Sequence, residues 1–150
     1  MRRLRRNGVG VFLGLLIVAT GAVVIFYISP AGWSTNDVTT GKHPGYPDLQ
    51  PRRYDMPPDA VIQFAATAAS RLRGWKVTRT DVQKGTMHAD VTTFVPLFTD
   101  DVEVTVHLEG RISVVTIRAH SRVGGGDLGE NARHIRALQA AMDERLPLSQ

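Results

Sequence analysis

From Trp75 to Val123 the hydrophobic period of the chain is two, held through four successive runs. The cleanest is DVEVTVHLE, where Val102, Val104, Val106 and Leu108 alternate with Glu103, Thr105, His107 and Glu109. Such alternation belongs to a strand with one apolar and one wetted face. WKVTRTDV comes first. In MHADVTTFV, Met87, Ala89, Val91 and Val95 oppose His88, Asp90, Thr92 and Phe94. In ISVVTIRAHSRV, Val115, Ile117, Ala119 and Val123 oppose Thr116, Arg118, His120 and Arg122. QKGT and Gly110-Arg111 leave room only for chain reversals, so neighbouring runs must pair antiparallel.

A sheet with one apolar face needs a cover on that face alone, and two helix-like segments can supply it. In PPDAVIQFAATAASRLRG, Pro58 suits a first helical position and Asp59 the positive end of the dipole. Val61, Phe64, Ala65, Ala68 and Leu72 form its apolar stripe, and Gly74 stops it. A second helix starts near Asp127 and places Ile135, Leu138, Met142 and Leu146 on one side. With PRRYDM as a short extended run in front, the order is β-α-β-β-β-β-α. The expected fold is α+β: one antiparallel sheet of about five strands with two helices on one face. Helix-grip and TATA-box-binding-protein-like folds share this order, which carries no function with it.

Ahead of this domain, Val9 to Ile28 contains no charged residue. As a helix it would span about 30 Å, the thickness of a hydrocarbon core. Arg2, Arg3, Arg5 and Arg6 flank one end only, which puts the N-terminus in the cytoplasm and the remainder across the membrane. Phe26, Tyr27 and Trp33 fall where interfacial aromatics sit. A cleaved signal peptide is the rival reading, but cutting at ATGA would leave VVIFYI at the new terminus. The expected organisation is a basic cytoplasmic tail over 1–8, a transmembrane helix over 9–28, a linker over 29–50 and a soluble domain over 51–147. The linker is rich in Pro, Gly, Ser and Thr and shows no hydrophobic period, as a tether would.

Charge narrows the partners. Four of the 18 basic residues lie within the first six positions, and the rest, 18 less 4, balance the 14 acidic ones. The folded part is therefore neutral and lacks the basic excess of a nucleic-acid binder. With no cysteine there is no disulfide, thiol nucleophile or thiolate metal ligand.

Gly124, Gly126 and Gly129 match G-x-G-x-x-G between a strand and a helix. That fingerprint holds a dinucleotide inside a βαβ unit with a further parallel strand beyond the helix. Only PLSQ follows Leu146, and the preceding strand belongs to a meander. The glycines are read instead as a sharp bend from sheet to helix. Asp127 is the expected N-cap, with Glu130 completing a D-x-x-E capping box. No cofactor is expected.

His88, Asp90, His107, Glu109, Arg118, His120 and Arg122 all fall on the polar side of their strands. A metal site from His88, His107 and His120 can be drawn, but they lie on separate strands, and a solvated face of cross-strand ion pairs is the simpler account. No metal is expected. No G-x-S-x-G nucleophile elbow occurs. Arg52 and Arg53 either touch lipid headgroups or pair with acids of the fold, and the second is preferred.

YPDLQPRRYDMPPDAV, the GW at 74–75, DDVEVTV and SRVGGGDLGENARHIRAL resemble the bacterial and plastid family catalogued as domain of unknown function 1499, over Tyr46 to the C-terminal helix. The most specific pieces are P-R-R-Y-D-x-P-P and S-R-V-G-x-x-D-L-G-x-N-A-x-R/H-I. The family pattern has Ser before the Asp where this chain has Gly126, and G-F-x-D-D where it reads PLFTDD. The resemblance implies a domain and a motif but no reaction. It directs attention to Arg118, Ser121, Arg122, Asp127, Asn131 and Arg133, around one strand-to-helix corner. They form either an internal polar staple or a recognition site for an anionic group. Three functions remain open. The first is a membrane-anchored, non-catalytic domain outside the cytoplasm that binds a partner protein or envelope component. The second is a module holding an apolar or lipid-like molecule between sheet and helices, where Ala65, Ala66, Ala68 and Ala69 could leave space. The third is a hydrolase-like enzyme using the histidine-bearing face.

Overall fold

The structure, a computed structural model, describes residues 35–92, 98–146 and 148. Its elements are β1 (Asp37–Thr39), β2 (Arg52–Tyr54), α1 (Pro58–Arg71), β3 (Trp75–Asp81), β4 (Thr86–Thr92), β5 (Thr99–Glu109), β6 (Ile112–Ser121) and α2 (Glu130–Asp143). The architecture is α+β with one antiparallel sheet and two helices, as the alternation requires. The apolar run over 9–28 lies outside the described residues. Among those described, no helix is long and apolar enough to cross a membrane.

The sheet has six strands, not five. Its order is β1-β6-β5-β4-β3, and β2 also pairs with β6. β1 and β2 lie along one edge of β6: Val38 faces Ala119, and Arg53 faces Val114. Every pairing is antiparallel. At the other edge β3 carries a register irregularity between Val77 and Arg79.

The two faces obey the period-two reading. Met87, Ala89, Val91, Val102, Val104, Val106, Val115, Ile117 and Ala119 are buried under the helices. Leu108 and Val123, at the ends of their runs, are exposed, because the helices do not reach that far. α1 buries Val61, Ile62, Ala65, Ala68 and Ala69, and α2 buries Ala132, Ile135, Leu138 and Met142. The helices run antiparallel. Tyr54, just before α1, reaches Asp143 at the end of α2, while Trp75, just after α1, lies against His134.

The segment over 29–50 is not a free tether from residue 35 onward. It supplies β1, and Val38, Tyr46 and Leu49 are all buried in the core. α2 holds it in place. Arg136 donates two hydrogen bonds to the Asp48 carboxylate at 2.7 and 3.0 Å, and its guanidinium lies 5.5 Å over the Tyr46 ring. Gln139 donates to the Gln50 carbonyl at 2.7 Å. Sequence reading missed this because single apolar residues spaced by Gly and Pro have no period, yet each fills one pocket of the core.

A domain cut at residue 51 would therefore lose three buried apolar side chains, each worth about 1.5–3 kcal/mol of burial, together with buried Thr40, and would leave part of the β6 edge unpaired. We expect a fragment starting at residue 51 to show no cooperative thermal transition by circular dichroism, and one starting at residue 35 to show it.

Candidate binding site

The six residues of the strand-to-helix corner do not form one site. Arg118 and Arg122 project onto the open face of the sheet, whereas Ser121 and Asn131 meet behind it. Arg118 forks onto Asp37, with Nη2 to Oδ2 at 2.6 Å and Nε to Oδ1 at 3.0 Å. Arg122 forks onto Asp101 at 2.9 and 2.6 Å and also donates to Asp90 at 2.6 Å. Asp90 and Asp101 are directly opposed across β4 and β5, a repulsive pair that this guanidinium neutralises. Arg133 pairs with Glu130 at 2.6 Å.

Behind the sheet, Asn131 is fully buried. Its amide donates to the Asn36 carbonyl and to Ser121 Oγ, both at 3.0 Å. Asp127 Oδ1 accepts from the Gly129 amide at 2.8 Å, and Oδ2 accepts from the Asn131 amide at 2.7 Å. The expected capping box is corrected in its details. The helix starts at Glu130 behind Gly129, which has φ 84°, and Asp127 caps from two residues further out. The Asp127 amide donates to the Thr35 carbonyl at 3.1 Å, so nothing is left there for Glu130 to reach back to. The glycine bend remains structural. Among the described residues past α2, Leu148 makes an antiparallel bridge to Tyr54 and none forms a parallel crossover.

The histidines of the open face are dispersed. His88 faces Glu103, His120 faces Asp101 and His107 faces Val114, so they occupy three different rows. His107 lies 3.1 Å from Glu109, and His120 lies 3.5 Å from Asp101. Among the described residues no three His, Asp or Glu side chains are grouped to hold a metal ion. Arg53 pairs with Glu109, and Arg52 with Asp143, each at 2.8 Å. Both arginines thus serve the fold, as preferred from the sequence. Tyr54, wholly buried, donates to the other Asp143 oxygen at 2.7 Å. Burial, reinforced by Asp143, pushes its hydroxyl well above the ordinary phenol range. A carboxylate at a helix C-terminus opposes the dipole, and the two donors offset that cost.

Two features were not anticipated. One is a buried pair: His134 Nε2 lies 2.9 Å from Asp100 Oδ2, with Trp75 edge-on to the imidazole at 6.1 Å. It joins α2 to the start of β5. The other is a groove of ≈ 370 Å³ between the helices on their outer side. α1 and the residue after it give Phe64, Thr67, Ala68, Arg71 and Leu72. α2 and the turn after it give Ala137, Ala140, Ala141, Glu144 and Arg145. The alanines let the floor lie deep. Neither Arg71 nor Arg145 has an acid partner among the described ion pairs. The space expected between sheet and helices is filled: Ala65, Ala69, Met87, Val104 and Ile117 have no exposed surface.

Two expectations follow. Asn131→Leu should cost about 1–3 kcal/mol of stability, measured by urea unfolding, because it strips the buried donors from Ser121 and Asn36. Hydrogen bonds from Arg118, Arg136 and Arg122 hold Asp37, Asp48 and Asp101 below the ordinary carboxylate value of 3.8. A depressed folded-state pKa stabilises fully above the unfolded value and is lost as pH falls through the folded one. Melting temperature should be flat above about pH 5 and fall below about pH 4. The fall should shrink in high salt, since these pairs are one-third to one-half exposed.

Comparison with known proteins places these features. Three solved structures are similar at low identity. CalU16 from Micromonospora echinospora is 16% identical, with a TM-score of 0.45, over 62% of this chain and 69% of that one. TTHA0849 from Thermus thermophilus is 10% identical, with a TM-score of 0.44, over 73% of this chain and 95% of that one. The di-domain ARO/CYC StfQ from the steffimycin biosynthetic pathway is 14% identical, with a TM-score of 0.46, over 73% of this chain and 44% of that one. Likeness at this level says nothing of ligand or reaction. No curated protein matches the chain. The family described as "Protein of unknown function (DUF1499)" matches residues 27–142, which takes in every strand and nearly all of α2. The chain belongs to the DUF1499 family.

Proposed function

We propose that the chain is a non-catalytic binding module of the cell envelope, held to the membrane by residues 9–28 and displayed on the extracytoplasmic side. The groove between α1 and α2 is its binding site. The observation that carries this reading is the contrast between the groove and the sheet face and corner described above. The arginines of the open face and of the corner are spent on neighbouring carboxylates. The groove instead combines an apolar floor, from Phe64, Ala68 and Leu72, with two cations, Arg71 and Arg145, and one acid, Glu144, at its rim. Such a surface takes a partner segment that presents apolar side chains together with a carboxylate. The dispersed histidines argue against the hydrolytic alternative. The filled core moves the small-ligand alternative out to this same groove.

An anionic apolar probe, 8-anilinonaphthalene-1-sulfonate, tests the chemistry. Its fluorescence should rise on binding the folded protein. Ala141→Trp, which fills the groove, should abolish the rise, and Arg71→Glu should weaken it roughly tenfold. Equal binding by the parent and Ala141→Trp would remove the groove from consideration.

A further inference from the structure

The described chain enters the domain at the corner between β6 and α2. The Thr35 carbonyl accepts from the Asp127 amide at 3.1 Å, and Asn36 Nδ2 donates to the Gly124 carbonyl at 2.6 Å. Three exposed apolar side chains lie at this corner: Phe98 at 45%, Val123 at 63% and Leu128 at 47% exposure. Asp100 faces Ser121, and continuing that register two residues outward sets Phe98 opposite Val123. Leu128 sits in the turn before α2 with φ 55°, a left-handed backbone that the Asp127 carboxylate spans by accepting from the Gly129 and Asn131 amides beyond it. Nearby carboxylates carry little bare charge. Asp127 is taken up by backbone amides and Glu130 by Arg133.

The apolar run ends at Ile28, seven residues before Thr35. Fully extended, that stretch reaches about 25 Å. We propose that this corner is the face by which the domain lies on the outer surface of the bilayer its N-terminal segment spans, with Val123, Leu128 and Phe98 entering the headgroup region. The inference rests on the membrane-tethered reading. Exposed apolar groups held beside a short tether gain burial at an interface that is already within reach. Leu108, on the β5–β6 hairpin, and Val82, after β3, are also exposed, at 54% and 37%, but lie at the opposite end of the sheet and should stay in water.

The chain has no cysteine, so single-cysteine variants report on one position each. Val123→Cys, Leu128→Cys, Leu108→Cys and Val18→Cys, labelled with bimane, would be placed as full chains in phosphatidylcholine nanodiscs with or without lipid carrying a doxyl quencher, near the headgroup for 108, 123 and 128 and near the end of the acyl chain for 18. The proposal expects labels at 123 and 128 to lose roughly half their emission to the quencher, with the label at 108 unaffected. A quenched label at 18 with unquenched labels at 123 and 128 keeps the tether and overturns the docking. An unquenched label at 18 overturns both. Protection of 123 and 128 that follows protein density, with no lipid quenching, means that a second copy covers the corner and also overturns it.

Discussion

The structure depends on the burial of a single sheet face. Met87, Val104 and Ile117, on three adjacent strands, have no exposed surface, and the helices that cover them have no other surface to cover. Everything polar is thereby sorted. Side chains of opposite parity go to water, where cross-strand partners lie within reach, and polar groups that remain behind the sheet must be satisfied internally. Asn131 shows the second case through its side-chain nitrogen, which finds two acceptors, although its equally buried Oδ1 has no described partner. It is fully buried and joins the first strand, the last strand and the helix start in one network.

That sorting explains why residues that look functional in a family motif turn out to brace the fold. In P-R-R-Y, alternate residues face opposite ways. Arg52 and Tyr54 grip the Asp143 carboxylate, while Arg53 crosses to Glu109 on the open side. In S-R-V-G-x-x-D-L-G-x-N, Ser, Asp and Asn secure the turn into the helix, and Arg neutralises two opposed aspartates. The motif holds together a junction at which five segments of chain meet.

How much of this was legible in the sequence follows from the kind of signal each part leaves. The four long strands and both helices announce themselves by period, because each buries several residues in a row. β1 and the 41–50 loop bury one residue at a time and leave no period, although Val38, Tyr46 and Leu49 sit as deep as any strand residue. The His134–Asp100 pair could have been found. Counting back by two from Val102 puts Asp100 on the core face, and the spacing of Asn131, His134, Leu138 and Met142 puts the imidazole on the buried stripe of α2. The groove had no such signal, since it depends on how closely two alanine-bearing helices approach.

The register slip in β3 has a wider consequence. This strand is the only long one whose outer edge has no described partner, and its exposed Lys76 and Arg79 flank the slip. A kinked, cationic border is a poor template for another chain to extend. A flat, uncapped border would let a second copy pair with it strand to strand. The irregularity keeps neighbouring copies of the chain as separate units.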